Sequence, residues 1–532
     1  MGKGLLRAAV AAGLLLGPSA AVCGDPPPPE AVGSGWRVRG GVAESAVAGL
    51  RVKPPEGWDL VLGDAVEAED ANADLGLLLR GTDLLVTVDA QESLGMSEQE
   101  RLEEMLPVAS LEKVRAAGKA VPVSAEECSF AMEPWTGKDG GIAYWIGGFT
   151  ADGRAFCVTA SCAAASREDS GKRLPEAAAA LQVLRGKARD ALAAELLALP
   201  DGQAAWQGPA CYRRGVLRDF GHGILWRLPR AFWSVYLHDP KDAADEAEKG
   251  LVATVTDRVL GVEGTLEFHP AEGKDLAAYQ KHMEGWFVDQ SEGAGKAPAA
   301  GAPAAEDEEA GTGVEAALPV EFAGGRGLST RIHDAEGWQW LVVSTLREEV
   351  GTTVWFGGEE AAMDAAAGTI REALAGVRLD PSMRAESLEK GVYRNDLYGF
   401  SMTLPRADLG SPTGAGGLDP SPMVFRLWWD GDVTIAVLAG PLSGGPFTAE
   451  RVLKAFPHPP PEAIENAGEA GRLTPAVLGG EPCDRLSGKE KGRVALFMAS
   501  RGGAHYSLGI LGNGNLTEDR VEAIRSGFRF EE

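Results

Sequence analysis

Cysteine and histidine are both scarce in this chain, with six and seven among 532 residues. Six cysteines without tight spacing do not make a disulfide framework. Seven histidines leave little material for acid–base chemistry, and no acidic or cysteine ligand stands at metal spacing from His269 or His282. Basic residues are also short: 51 Lys and Arg face 77 Asp and Glu, for a net charge of −26 and a pI near 4.8. Such a surface repels nucleic-acid phosphates and anionic lipid head groups, which excludes a general nucleic-acid binder and reads as a solubility device. Beyond the N-terminus no stretch approaches 18 uninterrupted apolar residues, so no later segment reads as a membrane-spanning helix. Catalytic motifs are missing too. There is no Gly-x-Ser-x-Gly elbow and no phosphate-binding glycine loop, and Asp219-Phe220-Gly221 stands without a catalytic loop. Asp430-Gly431-Asp432 lacks the remaining ligands of a calcium loop and reads as a hairpin turn.

What is present is core material and a long repeat. Hydrophobic residues make up 45% of the chain, with 13 Trp, enough for packed domains. The stretch from Tyr393 to Pro405 reads as a turn, a glycine, an alternating strand and a proline stop. Shorter versions are Gly223-Ile224-Leu225-Trp226-Arg227-Leu228-Pro229 and Gly49-Leu50-Arg51-Val52-Lys53-Pro54-Pro55. Gly49, Gly223 and Gly399 therefore lie 174 and 176 residues apart. That period is far longer than a solenoid repeat, so three domains, each with its own core, are expected.

The N-terminus reads as a secretory signal over residues 1–21: Lys3 and Arg7, an apolar run from Ala8 to Gly17, then small residues. Two fates are open for the end of this signal. One is ordinary cleavage near Ala21. The other is lipidation of Cys23, although Ala20 and Val22 depart from the usual lipoprotein box. Residues 22–47 form a Pro/Gly-rich lead-in, with Pro26 to Pro29 suited to a stiff spacer.

The first domain spans 48–186, with strands at Leu75–Leu79 and Leu84–Val88 and a helix opened by Ser97 and Glu100 as a capping box. Residues 187–213 read as a linker with a helix from Ala191 to Leu199. The second domain spans 214–380. Its helix, Asp275 to Trp286, carries Leu276, Tyr279 and Met283 on one stripe, and an insertion over 291–313 has a composition that cannot bury apolar surface. The third spans 391–531, with strands at Met423–Trp429 and Val433–Leu438 and a last helix capped by Thr517. The order mixes hairpins with a few helices, which predicts an α+β chain in which each domain is a mainly antiparallel sheet covered by helices.

The Tyr-x-Asn-x-x-Tyr-Gly-Phe-x-x-x-Leu-Pro opening, with the closing helix leading into Ser526-Gly527-Phe528-Arg529-Phe530, resembles bacterial exported domains of the PsbP-like class, DcrB-like lipoproteins included. The resemblance implies three tandem α/β/α sandwich domains, each a mainly antiparallel sheet flanked by helices. It brings no active-site residue with it.

Few residues are candidates for chemistry. His269 ends a strand whose counterparts carry Asp89 and Leu438, so a catalytic role there would be private to the second domain. Cys128 and Cys483 occupy matching places in the first and third domains, where the second has Gly327 in that neighbourhood, which points to packing. Cys157 and Cys162 share a strand at opposite parity and face opposite ways. Trp428-Trp429 and Trp338-x-Trp340 are the candidate binding surface, although a sheet covered on both faces would bury both Trp428 and Trp429. No catalytic, cofactor-binding or metal-ligating residue is assigned, and no cofactor is expected. The expected function is an exported, non-catalytic binding or scaffold protein of the bacterial cell envelope, periplasmic or extracellular, with an unknown protein or small ligand as partner. The alternatives are an exported hydrolase with its site in the second domain and a structural envelope lipoprotein anchored through Cys23.

Overall fold

The computed structural model describes residues 35–62, 75–94, 97–105, 114–116, 119–124, 129–137, 140–199, 203–239, 250–294, 312–334, 337–409, 413–414, 424–441, 473–487, 494–512 and 516–531. The signal segment, Cys23, Cys128 and most of the 291–313 insertion lie outside these residues. Among the described residues 54% are in strands and 20% in helices. They form six separate sheets, a small and a large one three times over, and every pairing named below is antiparallel.

The first small sheet orders β1 (Trp36–Arg39), β2 (Val42–Ser45), β3 (Leu50–Val52) and β12 (Leu181–Val183). Its large sheet orders β4 (Trp58–Leu62), β5 (Leu75–Leu79), β6 (Leu85–Glu92), β11 (Arg154–Ala163), β10 (Ile142–Ala151), β9 (Ser129–Gly137) and β7 (Val114–Ala116), with β8 (Val121–Ser124) beside β9. The second small sheet orders β13 (Ala204–Gln207), β14 (Ala210–Arg213), β15 (Val216–Asp219), β16 (Ile224–Arg227) and β25 (Val377–Leu379). The large sheet of this pair orders β17 (Trp233–Leu237), β18 (Leu251–Asp257), β19 (Glu263–Pro270), β24 (Val350–Glu359), β23 (Trp338–Arg347), β22 (Gly325–His333) and β20 (Gly313–Val314), with β21 (Leu318–Phe322) beside β22. The third small sheet orders β26 (Glu386–Glu389), β27 (Val392–Asn395), β28 (Phe400–Thr403) and β36 (Phe528–Phe530). The third large sheet orders β29 (Thr413–Gly414), β30 (Val424–Asp430), β31 (Val433–Pro441), β35 (Ala504–Gly512), β34 (Val494–Arg501), β33 (Glu481–Ser487) and β32 (Leu473–Leu478). The described helices are α1 (Glu98–Met105), α2 (Arg167–Ala179), α3 (Gly186–Ala198), α4 (Leu276–Ala294), α5 (Glu360–Ala375) and α6 (Glu518–Arg525).

The expected α/β/α sandwiches, each one sheet between helix layers, do not form. The short opening and closing strands of each stretch do not join the main sheet. They pair with each other and make the small sheet instead. Alternation decides what that sheet faces: in β3, Leu50 and Val52 are buried and Arg51 between them is exposed. The first core accordingly gathers Trp36, Leu50, Val52 and Leu181 from the small sheet with Leu77, Val86, Phe156 and Val158 from the large one. The third core joins Tyr393, Phe400 and Phe528 to Ile435, Val437 and Leu508 in the same way.

The three spaced glycines explain how the small sheets close. Gly49, Gly223 and Gly399 have φ of +64°, +66° and +66°, the left-handed region that only glycine enters cheaply. Their carbonyls accept from Leu184, Asp380 and Glu531 at 2.8, 2.6 and 2.9 Å, tying each opening strand to its closing strand. Four residues earlier stand Ser45, Asp219 and Asn395, all buried. Ser45 Oγ accepts from the Ala48 N–H at 2.9 Å, Asp219 Oδ1 from Gly221 at 2.8 Å and Asn395 Oδ1 from Tyr398 at 2.8 Å. Each short side chain thus satisfies a turn donor that the strand ladder cannot reach.

The surroundings of these glycines differ. A Cβ at Gly223 would stand 2.6 Å from the Asp380 carbonyl oxygen, a rigid neighbour, whereas at Gly49 it would meet the end of the Arg154 side chain at 2.8 Å. Left-handed backbone alone costs an alanine about 1–2 kcal/mol. Gly223→Ala and Gly49→Ala are each expected to lose about 2–3 kcal/mol in urea unfolding, because the Asp380 carbonyl is fixed backbone and the Arg154 side chain is buried and held by the Val47 carbonyl and Glu92. A loss at either site no larger than the roughly 1–2 kcal/mol of left-handed alanine would contradict this account.

The described chain divides into two compact units, residues up to 200 with 258–260, and 201–257 with 261–532. In the first, the capping box expected at α1 forms: Ser97 Oγ accepts from Glu100 N at 3.2 Å and Glu100 Oε2 from Ser97 N at 2.8 Å. In the second, α4 begins after Asp275, whose Oδ1 accepts from Ala278 N at 2.8 Å, and it runs to Ala294, past the start of the expected insertion. Part of the expected linker, 204–213, is the hairpin of β13 and β14.

Candidate functional site

The second large sheet turns one face toward α4 and the other toward α5. Strand parity assigns Glu263, Thr265, Glu267 and His269 of β19 to the α4 face. Register brings Thr353, Trp355 and Gly357 of β24 onto it, and Trp338, Trp340, Val342 and Ser344 of β23. Two environments result along this face.

Beneath the first half of α4 the face is polar and closed. Tyr279 is fully buried, with its hydroxyl 3.2 Å from Thr353 Oγ1, which is 3.0 Å from Ser344 Oγ. Burial pushes the Tyr279 hydroxyl up to about 12, so it stays protonated. Glu267 is 1% exposed. One carboxylate oxygen meets His269 Nε2 at 3.2 Å, and the other has no hydrogen-bond partner among the described residues. Gly351 makes room for the Tyr279 ring, whose atoms would lie 2.1–2.6 Å from a Cβ there.

Beside Phe287 of α4 the face is aromatic and open. Thr256, Gly261, Glu263, Trp338, Trp340, Trp355 and Gly357 line a pocket of about 320 Å³. Phe287 of α4 supports its back, with ring centroids 5.4 Å from Trp355 and 6.3 Å from Trp340. Trp338 and Trp340 lie 6.3 Å apart at 50°. Glu263, Gly357 and Trp340 form one cross-strand row. Because Gly357 has no side chain, Trp340 lies over it: a Cβ would stand 2.8 Å from Trp340 Cδ1 and 3.3 Å from Trp338 Nε1. Trp338 at the rim is 39% exposed. Glu263 forms no ion pair or side-chain hydrogen bond among the described residues. More than a third of its surface is open to water, yet loss of solvent around its carboxyl raises its pKa above the ordinary value. The pocket can hold a small ligand against π faces with one carboxylate beside it.

Of the residues singled out from sequence, Trp338 and Trp340 are the two that enter this site. Trp428 and Trp429 do point to opposite faces, but they are not both core: Trp428 is 2% exposed against Tyr393, while Trp429 is 50% exposed. His269 is taken by Glu267, and His282 is exposed on α4. Cys157 and Cys162 are buried, and the Cys483 thiol is pushed up to about 11 by burial, which keeps it protonated and unreactive. Asp430 and Asp432 flank a hairpin turn and pair with Arg520 at 3.0 and 2.9 Å. Among the described residues no group of three His, Cys, Asp or Glu is placed to hold a metal. None of the described helices is long and apolar enough to cross a membrane. Trp355, Glu263 and Gly357 had no sequence signal of their own, since they meet only through strand register.

No protein-family model matches the chain, and no curated protein does. Solved structures give partial likenesses. Cyanobacterial PsbP from Synechocystis sp. PCC 6803 is 14% identical over 26% of this chain and 87% of its own, with a TM-score of 0.20. LpqN, involved in cell envelope biogenesis of Mycobacterium tuberculosis, is 10% identical over 25% and 82%, with a TM-score of 0.19. The immunity protein TplEi of the T6SS from Pseudomonas aeruginosa is 10% identical over 63% and 96%, also with a TM-score of 0.19. At these values none of them assigns a role to any residue of this chain.

Proposed function

We propose that this chain is an exported, non-catalytic binding protein of the bacterial cell envelope, made of three divergent copies of one two-sheet domain, with ligand binding in the second. The copy reading draws support from Gly49, Gly223 and Gly399, which share φ, spacing and closing hydrogen bond. One observation carries the binding reading: three tryptophans and Glu263, which is unpaired among the described residues, surround an open pocket floored by Gly357. A site of that kind binds without offering a nucleophile or a proton relay. The signal-like N-terminus supports export.

The test compares the native chain with Gly357→Leu, which fills the pocket floor. Both are recovered from the native envelope after mild crosslinking, and their bound small molecules and partners are identified by mass spectrometry. A species retained by the native chain and missing from Gly357→Leu is the expected result. Identical profiles from two folded proteins would remove the pocket from any binding role.

A further inference from the structure

We propose that the second-domain pocket takes a small organic cation, a quaternary or multiply substituted ammonium head group. This rests on the reading of that pocket as a binding site and goes on to its chemistry. The electron-rich faces of indoles attract positive charge, most strongly where water is displaced, and the lining offers three of them. Glu263 supplies the single formal charge. It stands in the same cross-strand row as Gly357 and Trp340, and no side chain among the described residues neutralises it. Burial already penalises its charged form, so a cation beside it relieves an existing cost.

Other ligand classes fit worse. An anion would find no basic residue in the lining among the described residues. A metal ion would find one carboxylate and a threonine hydroxyl, too few oxygen ligands for a hard cation. A neutral saccharide could stack on Trp338, but Glu263 and Thr256 are the only lining side chains able to accept hydrogen bonds from its hydroxyls. A volume of about 320 Å³ is at the small end for ligand sites, which suits a head group rather than an extended chain.

The experiment is calorimetric titration of the full chain with choline, with tetramethylammonium, and with 3,3-dimethyl-1-butanol, the uncharged counterpart of choline. Choline and tetramethylammonium are expected to bind, with the alcohol at least about 10-fold weaker, as loss of the charge removes cation–π and carboxylate attraction together. Glu263→Gln and Trp338→Ala should each weaken choline by about 5–30-fold. Glu263→Gln removes only a partly exposed charge that is unpaired among the described residues, so it tests the idea without unfolding the sheet. Equal binding of choline and the alcohol would overturn charge selection while leaving a binding pocket. Choline binding unchanged in Glu263→Gln and Trp338→Ala would place the cation elsewhere and overturn the proposal. No binding by any of the three also overturns it, and the pocket itself is then judged separately by the Gly357→Leu comparison.

Discussion

Trp206→Ala is expected to lower the unfolding temperature of the third sheet pair by about 10 °C, although residue 206 belongs to the second small sheet. The reason is where the indole goes. Trp206 projects from β13 into the core that holds Tyr398, Phe400 and Leu508, and Cys211 of β14 joins it there. Its ring stacks on Tyr398 at 5.4 Å and 16°, and its N–H donates to the Leu397 carbonyl at 2.9 Å. Arg213 at the end of the same hairpin donates to the Tyr398 and Asp396 carbonyls at 2.7 and 3.0 Å. Truncating a buried tryptophan costs about 3–5 kcal/mol, and at roughly 3 °C per kcal/mol that gives the stated shift. Calorimetry on the full chain reads the midpoint, and hydrogen exchange over Tyr393 to Leu404 locates the loss. If exchange there stays at the native rate while the protein softens elsewhere, the hairpin does not support the third core.

This contact shows where sequence reasoning stops. Residues 187–213 read as a linker because a helix, a proline and a glycine pass in quick succession. Nothing local signals that Trp206 and Cys211 share a core with Tyr393, Phe400 and Leu508, almost two hundred positions and more away along the chain. The glycine period was legible because left-handed backbone leaves a residue-type mark. The capping box of Ser97 and Glu100 was legible because its partners are three residues apart. Register leaves no such mark. The opening and closing strands of each stretch could join the large sheet or pair with each other, and their alternation is the same either way. The expected helix-flanked sandwiches failed at that choice, and the small sheets were missed with them. The candidate site divides along the same line. Trp338-x-Trp340 places two indoles on one face by period alone. Trp355 and Glu263 join them only because β19, β24 and β23 pair with residues 263, 357 and 340 in one row.

Gly351→Val links packing to binding, and its effect should appear in both. Gly351 faces α4, and the Tyr279 ring occupies the space a side chain would need, with ring atoms 2.1–2.6 Å from the added Cβ. The ring has little freedom to yield. It is fully buried, and its hydroxyl heads the chain through Thr353 to Ser344. Overpacking costs about 1–3 kcal/mol and stranding buried hydroxyls about 1–3 more, so roughly 4 kcal/mol is expected in urea unfolding. The alternative to outright loss is that α4 lifts from the sheet. Phe287, two turns further along the helix, would then leave Trp355 and Trp340, and the pocket would lose its back wall. At temperatures where the variant is still folded, choline affinity should therefore fall as well, although residue 351 does not line the pocket. Gly264→Ala is the matched control. Its Cβ would meet the Phe356 ring at 2.3–3.0 Å, on the face turned away from α4, so it should reduce stability and leave choline affinity intact. If both variants lose affinity alike, binding follows global stability and not the seating of α4.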